Sequence, residues 1–160
     1  VYELLEASGF PGMKVLQFGF SPDDDENEYA VHNLTKHTIT YTGTHDNETI
    51  VGWLDSISEE EHLMMREYLC DMNTAKEELY WPLIALIMRS RANLCIVPMQ
   101  DYLGLDNNSR MNKPSTVGMN WKWRLSESQL SEELRKKIRQ MTLRYGRIAK
   151  QWNKDLDEDT

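Results

Sequence analysis

A polar cluster, Thr44-His45-Asp46-Asn47, places an imidazole, a carboxylate and an amide side by side. An apolar, β-branched run that ends at Tyr41 precedes the cluster, and a helix-like run that begins at Thr49 follows it. Polar residues at the point where a strand leads into a helix are a typical location for chemistry in α/β proteins. The simplest alternative is that Asp46 or Asn47 only caps the following helix.

Beyond a helix cap, the His45-Asp46 pair fits two kinds of site. A metal site of the His-Asp phosphohydrolase type would combine the pair with His32 and Asp101. A carbohydrate subsite would use the pair and the neighbouring amide to bind sugar hydroxyls, and its fixed carboxylate would stabilise positive charge at an anomeric carbon. Phosphohydrolase ligands normally lie on helices, whereas this pair follows a β-rich run, so the pattern favours the sugar site.

Aromatic residues near the polar motifs are compatible with a sugar site, because their rings stack on the apolar faces of sugars. They are Tyr41, Trp53, Trp121 and Trp123. Trp53 fits a hydrophobic core equally well. The indication therefore comes from several such residues that follow strand ends, and not from any one of them.

Strands alternate with helices along the chain, which predicts a parallel α/β sheet. The predicted strands are mostly apolar, which indicates burial on both faces, and they cover 13–18, 38–41 and 94–98. Capping residues and apolar spacing predict helices over 1–7, 49–54, 58–70, 74–92 and 131–152. Pro82 would either kink the 74–92 helix or mark its true first turn.

Three parallel strands leave two unpaired edges, so the predicted sheet is incomplete. Its polar residues follow strand ends: the 44–47 cluster follows the second strand, and a long polar loop over 104–123 comes after the third. Loops of this length and polarity are usually functional. The sequence therefore predicts that residues 1–160 form one segment of a larger barrel or sheet, with an acidic tail over 155–160.

The composition is that of a globular protein, since 40% of the 160 residues are hydrophobic and 28% are charged. A formal net charge of −8 argues against nucleic acid and anionic membranes as partners. No apolar run is long enough to span a bilayer. The two cysteines form no CxxC pair, so no zinc site is expected, and Cys95 is predicted to be a buried free thiol in a cytoplasmic protein.

Four stretches of the chain resemble the amylomaltases, which are the 4-α-glucanotransferases of glycoside hydrolase family 77. The stretches are Phe10–Phe18, Tyr41–Asn47 with Gly52-Trp53, Val97–Leu105, and Arg110–Asn112 with Asn120–Arg124. The resemblance implies a (β/α)8 TIM barrel, of which this helix-rich chain would be the C-terminal part, with about the sixth to eighth strands. It also implies retaining transfer of α-1,4-glucan segments between maltodextrins, without a cofactor.

The resemblance also implies roles for single residues. Asp46 corresponds to the carboxylate that stabilises the transition state, and His45 would hold the same sugar. Gln100 and Asp101 are further candidates without a stated role. The other residues that the resemblance places at the substrate are Asn47, Phe18, Arg110 and Asn112.

The family's nucleophilic Asp and its acid/base Glu both precede the first matching stretch, so neither is expected in this chain. We therefore predict that the isolated chain is inactive, and that its partners are the N-terminal remainder of the same barrel and maltooligosaccharides. Ser115 and Met119 depart from the family, which commonly has Gly there. The alternatives that stay open are a non-catalytic carbohydrate-binding module and a metal-dependent phosphohydrolase.

Overall fold

The computed structural model describes residues 2–21 and 26–148, and its strands form one parallel sheet. Neighbouring strands in the sheet are neighbours in the chain, in the order β1 (Gly12–Val15), β2 (Thr38–Tyr41) and β3 (Leu94–Ile96). Parallel neighbours require a crossover on one side of the sheet, and helices supply most of the connection between β2 and β3. The predicted parallel α/β organisation is therefore confirmed.

The register of the sheet brings the three strand ends together. Val15 pairs with Tyr41, and Tyr41 pairs with Ile96. The segments that follow these residues consequently leave the sheet on the same side, at the carboxyl ends of the strands, which is where α/β proteins commonly bind ligands. The cluster at 44–47 and the polar residues after β3 both belong to this carboxyl edge.

One face of the sheet is buried within the described part of the chain, and the other face is exposed. Thr38 and Thr40 lie on the buried face, since side chains alternate along a strand. On the opposite face Met13 is 57% exposed, Leu94 is 48% exposed and Ile96 is 39% exposed. The expectation that the apolar strands are buried on both faces is therefore wrong for this chain by itself.

The described residues also form six α-helices. They divide between two compact units, one that ends at Leu125 and one that begins at Ser126. In the first unit the core is supplied largely by the fourth helix, whose Leu83, Ile84 and Ile87 are fully buried. The helices are α1 (Tyr2–Ser8), α2 (Ile50–Ser56), α3 (Glu59–Leu69), α4 (Tyr80–Met88), α5 (Met99–Tyr102) and, in the second unit, α6 (Glu132–Arg144).

Two predicted helices are longer in the sequence pattern than in the structure. The helix expected over 74–92 is α4 alone, because the Thr74 side chain donates to Asp71 (2.6 Å) and does not cap a helix. Pro82 accordingly lies in the first turn of α4. Of the two predictions for Pro82, the true first turn is confirmed and the kink within a longer helix is wrong. The helix expected to reach Trp152 ends at Arg144, just before Gly146 adopts a left-handed φ of +65°. Trp152 and the predicted tail over 155–160 lie outside the described residues.

The first and third strands are also shorter than predicted. β1 ends at Val15, and a 3-10 helix over Leu16–Phe18 continues it. Cys95 in β3 is half-buried rather than buried, and its thiol donates to the backbone carbonyl of Ile87 (3.1 Å). The boundaries of β2 and the capping box of Ser58 at the start of α3 are confirmed.

Thr49 caps α2. Its Oγ1 accepts a hydrogen bond from the backbone N–H of Gly52 at 3.1 Å. Neither Asp46 nor Asn47 occupies the cap position, so the alternative that explains the cluster as a helix cap is wrong. The Asp46 carboxylate is therefore available for another purpose.

We expect Thr49→Ala to lower the free energy of unfolding by about 1 kcal/mol, because it leaves an N-terminal N–H of α2 unpaired. Asp46→Asn should change that free energy by less than about 0.5 kcal/mol, since the residue is half-exposed and keeps its acceptor oxygen. Urea unfolding of the complete protein measures both, with Thr49→Ser as the control that retains the cap. A larger loss in Asp46→Asn than in Thr49→Ala would restore Asp46 as the capping residue.

Candidate functional site

The turn over Thr44–Asn47 is held by its own side chains. Asn47 Oδ1 accepts hydrogen bonds from the Thr44 backbone N–H (3.0 Å) and from the Thr44 hydroxyl (2.7 Å). The backbone N–H of Asp46 donates to the same hydroxyl at 3.3 Å. The amide oxygen of Asn47 thus shapes the turn, and the side chains of His45 and Asp46 are left to project from it.

The Asp46 carboxylate is oriented by the long polar loop. Asn112 Nδ2 donates to Asp46 Oδ1 at 2.7 Å, and His45 Nε2 lies 3.3 Å from the same oxygen. Arg110 donates from Nη2 to the backbone carbonyl of Asp46 at 2.9 Å. The structure therefore brings together four of the predicted site residues: Asp46, His45, Arg110 and Asn112.

His45 is flanked by an aromatic residue of the same loop. The rings of His45 and Trp121 lie 5.1 Å apart between centroids, and both side chains are about half-exposed. The backbone N–H of Asn112 donates to the His45 carbonyl at 3.1 Å, and that of Trp121 donates to Met111 at 2.6 Å. An imidazole, an indole and a carboxylate consequently share one exposed surface.

Two residues of this loop adopt a backbone conformation that is unfavourable for residues other than glycine. Ser115 has a φ of +62° and Trp121 a φ of +64°, both in the left-handed region that glycine adopts most easily. Ser115 is one of the two positions where the family resemblance leads us to expect glycine. The departure from the family therefore falls where the backbone conformation explains the family's preference.

Glu48 joins the loop to α2. Its Oε1 accepts from Asn107 Nδ2 at 2.8 Å, and its Oε2 accepts from the Ser56 hydroxyl at 2.7 Å. The Arg110 guanidinium lies 3.8 Å from Oε1. A Cβ at position 52 would collide with the Asn107 side chain, so Gly52 allows Asn107 to reach Glu48. Glu48 was not predicted as a site residue, and a single acidic residue before a helix gave no signal for this role.

Asp101 lies behind the cluster and is almost fully buried, with 1% of its surface exposed. It accepts hydrogen bonds from the Thr42 hydroxyl (2.5 Å) and from the backbone N–H of Ile50 (2.8 Å). Burial raises the pKa of its carboxyl from 3.8 to about 6, although both hydrogen bonds act to lower it. Gln100 is buried beside it and donates to the Ser109 carbonyl at 3.2 Å.

A cavity of about 140 Å³ separates Asp101 from the cluster's surface. Residues of the turn, of α5 and of the polar loop line it, among them His45, Glu48, Gln100 and Arg110. Arg110 Nε is buried there without a hydrogen-bond partner among the described residues. The cavity gives the surface a polar floor in which a water molecule or a ligand hydroxyl has donors and acceptors.

Other predicted site residues lie elsewhere. Trp53 is a core residue, 8% exposed, whose ring packs against Phe20 with centroids 5.7 Å apart. Its predicted alternative role in sugar stacking is therefore wrong. Phe18 is half-exposed and contacts Tyr29 edge-to-face, with centroids 5.5 Å apart. It follows β1 at the same sheet edge as the cluster, and its place beside a catalytic centre stays a prediction.

The ligand set of the phosphohydrolase alternative is not assembled. His32 Nδ1 lies 2.7 Å from the Tyr68 hydroxyl, and both oxygens of Asp101 are occupied by Thr42 and Ile50. Within residues 2–21 and 26–148 no three His, Cys, Asp or Glu side chains form a group that would hold a metal ion. Among the same residues no helix has the length and apolar character needed to cross a membrane.

Comparison with known proteins decides the family. The sequence model of the 4-alpha-glucanotransferases of glycoside hydrolase family 77 matches residues 1–131. The chain belongs to this family. The 4-alpha-glucanotransferase of Clostridium butyricum is 43% identical over 146 residues, which are 91% of this chain and 29% of that protein. The 4-alpha-glucanotransferase of Thermus thermophilus is 42% identical over 146 residues, or 88% of this chain and 29% of that protein.

Solved structures of this glucanotransferase family share the fold. The amylomaltase from Streptococcus agalactiae, solved in complex with acarbose, superposes with a TM-score of 0.85 at 34% identity. The match covers 91% of this chain and 29% of that one. The α/β fold is therefore similar to that of an amylomaltase, and the chain spans less than a third of the length of the relatives it matches.

We expect the complete protein to lose stability as the pH rises from about 4 to about 6, by roughly 3 kcal/mol from Asp101. The folded chain holds the Asp101 proton up to about pH 6, whereas the unfolded chain releases it near 3.8, so folding is favoured on the acid side of this window. Urea unfolding of the parent and of Asp101→Asn across these pH values compares the two slopes. Parallel slopes would show that the pKa of Asp101 is not raised.

Proposed function

We propose that the complete protein containing this chain is a 4-α-glucanotransferase that transfers α-1,4-glucan segments between maltodextrins. The observation that carries the proposal is the half-exposed Asp46 carboxylate, held by Asn112 and flanked by His45 at the carboxyl edge of a parallel sheet. Two relatives that carry this name are 43% and 42% identical to the chain over most of its length. The cytoplasmic location predicted from the two free thiols stays a prediction.

In this proposal Asp46 is the supporting carboxylate of a retaining, double-displacement reaction. Asp46 Oδ1 is shared by Asn112 and His45, while Oδ2 has no hydrogen bond from any described residue. Oδ2 is therefore available to a sugar hydroxyl. A carboxylate fixed in this way binds most tightly when the sugar ring distorts and positive charge develops at the anomeric carbon.

The neighbouring residues would bind the same sugar or hold Asp46 in place. The His45 imidazole and the Trp121 indole provide one donor group and one apolar face for a glucosyl ring. Asn112 retains its amide oxygen for a hydroxyl, because its hydrogen bond to Asp46 uses the amide nitrogen. The Arg110 guanidinium donates a hydrogen bond to the backbone carbonyl of Asp46, so its main contribution would be to hold the turn in position. Asn47 and Phe18 are retained as substrate contacts of the complete site.

The nucleophile and the acid/base residue would come from the rest of the polypeptide. The chain covers 29% of the length of the Clostridium butyricum relative, and no described residues pair with the outer side of β1 or of β3. The exposed face with Met13, Leu94 and Ile96 would form part of a barrel interior. A groove of about 890 Å³ runs along β1 and is lined by Leu5, Phe10 and Met13 among others, and in this proposal a preceding element of the barrel would occupy it. We propose that this chain is the C-terminal part of a (β/α)8 barrel.

The role of Asp46 is tested by Asp46→Asn in the complete protein, with glucose release from maltotriose as the measure of disproportionation. We expect kcat to fall at least roughly 100-fold, since the amide cannot stabilise developing positive charge as a carboxylate does. Asp55→Asn, an exposed carboxylate on α2 paired with Lys76, is the control and should retain parental activity. Near-normal turnover of Asp46→Asn would remove Asp46 from the reaction.

Residues 1–160 produced alone should not disproportionate maltotriose, because two of the three carboxylates that the mechanism needs lie outside them. Thin-layer chromatography of long incubations is sensitive enough to check this, with the complete protein as the positive control. Glucan products formed by the isolated chain would refute the proposed division of catalytic residues. Binding of maltodextrins by a complete protein without turnover would favour the carbohydrate-binding module, and loss of turnover with a chelator would favour the phosphohydrolase.

A further inference from the structure

We propose that Asp101 is a positioning residue whose buried carboxylate fixes both ends of the segment that carries His45 and Asp46. This assignment rests on the proposed function, because it concerns the support of the same site. Asp101 does not reach the exposed surface, so it acts through the turn and does not touch a substrate.

The two donors to Asp101 bracket the segment. Thr42 is the first residue after β2, and Ile50 is the first residue of α2. Thr42 Oγ1 donates to one carboxylate oxygen of Asp101 and the Ile50 N–H donates to the other, at 2.5 Å and 2.8 Å. Thr42 and Ile50 are themselves fully buried. Residues 43–49 therefore form a loop whose two ends are joined by a single carboxylate.

Asp101 is itself fixed by the end of β3. It lies in α5, which begins directly after Pro98, and its backbone N–H donates to the Pro98 carbonyl at 3.0 Å. The backbone N–H of Thr42 in turn lies 3.4 Å from the Ile96 carbonyl. The position of Asp46 therefore depends on two neighbouring strands, β2 and β3, and not on β2 alone.

The burial of this carboxylate has a cost that packing alone does not explain. An apolar side chain of similar size would avoid the desolvation penalty of a buried acid, but it would leave the buried Thr42 hydroxyl and Ile50 N–H without an acceptor. The other charged or titratable side chains that line the cavity with Asp101 are His45, Glu48 and Arg110, all of which belong to the site. The acid lies behind the carboxylate proposed to act on the substrate, where support of the turn from below would fix that carboxylate's position.

The test uses the complete protein and a matched pair of variants at Thr42. Thr42→Val removes the hydroxyl that donates to Asp101 while keeping the shape of the side chain, and Thr42→Ser retains a hydroxyl. We expect Thr42→Val to lower kcat for maltotriose disproportionation roughly 10-fold with KM changed less than about twofold, because Asp46 is displaced mainly with respect to the transition state. Thr42→Ser should recover most of the parental kcat.

Asp101→Asn gives a second measurement that does not depend on turnover. The amide can still accept from Ile50, but it presents a donor to Thr42 where the carboxylate presented an acceptor. We expect hydrogen exchange to become at least roughly 10-fold faster over 43–50 in this variant, while the amides of β2 keep parental protection.

The outcomes separate the two proposals. A parent protein that does not disproportionate maltotriose refutes the proposed function, whatever the variants do. An active parent whose Thr42→Val variant keeps parental kcat, or whose 43–50 segment exchanges at the parental rate in Asp101→Asn, refutes the positioning role. If Thr42→Val and Thr42→Ser lose stability equally and share the same kcat, Asp101 supports the fold and not the site.

Discussion

Two hydrogen bonds to one buried carboxylate join the parts of this structure that the site requires. Thr42 at the end of β2 and Ile50 at the start of α2 both donate to Asp101, which follows β3. Together with the hydrogen bond from Gln17 Nε2 to the Glu48 carbonyl (2.8 Å), this link ties the loop over 43–49 to the segments that follow all three strands. The energetic cost of burying the carboxylate is consistent with its raised pKa, and such costs are usually tolerated where geometry matters more than stability.

The exposed surface above this carboxylate is assembled from the turn and the long loop, each holding the other. Asn112 orients the Asp46 side chain, and Arg110 donates a hydrogen bond to the Asp46 backbone carbonyl. Glu48 connects the loop to α2 by accepting a hydrogen bond from Asn107. His45 and Trp121 add an aromatic wall. A site made in this way leaves one carboxylate oxygen and two rings available to a ligand.

Local sequence patterns correctly predicted the secondary-structure elements that are determined by interactions between residues close together in the chain. The β-branched run at 38–41 forms β2, and the Ser58 capping box starts α3, because strand propensity and capping act over a few residues. The same patterns failed where a competing contact prevailed. The Thr74 hydroxyl donates a hydrogen bond to Asp71 and does not cap a helix as predicted. Gly146, with its left-handed backbone, follows the end of α6 although the apolar spacing of the sequence continues beyond it. Met13 of β1 and Leu94 and Ile96 of β3 were predicted to be buried, yet they are exposed because no second layer among the described residues covers that face of the sheet.

The sequence alone determined the chemical inventory of the site and the order of its elements. The sequence itself gives the types and positions of His45, Asp46, Arg110 and Asn112. The alternation of strands and helices predicts that these residues lie at the carboxyl end of one parallel sheet. Tertiary structure decided which of these groups touch: Asn112 on Asp46, Trp121 beside His45, and Thr49, not Asp46, at the helix cap. It also revealed Asp101 as the link between strand and helix. Apart from the Thr49 cap, which is local, these contacts join residues far apart in the chain, so no local preference encodes them, and they exist only once the parallel register has brought the strand ends together.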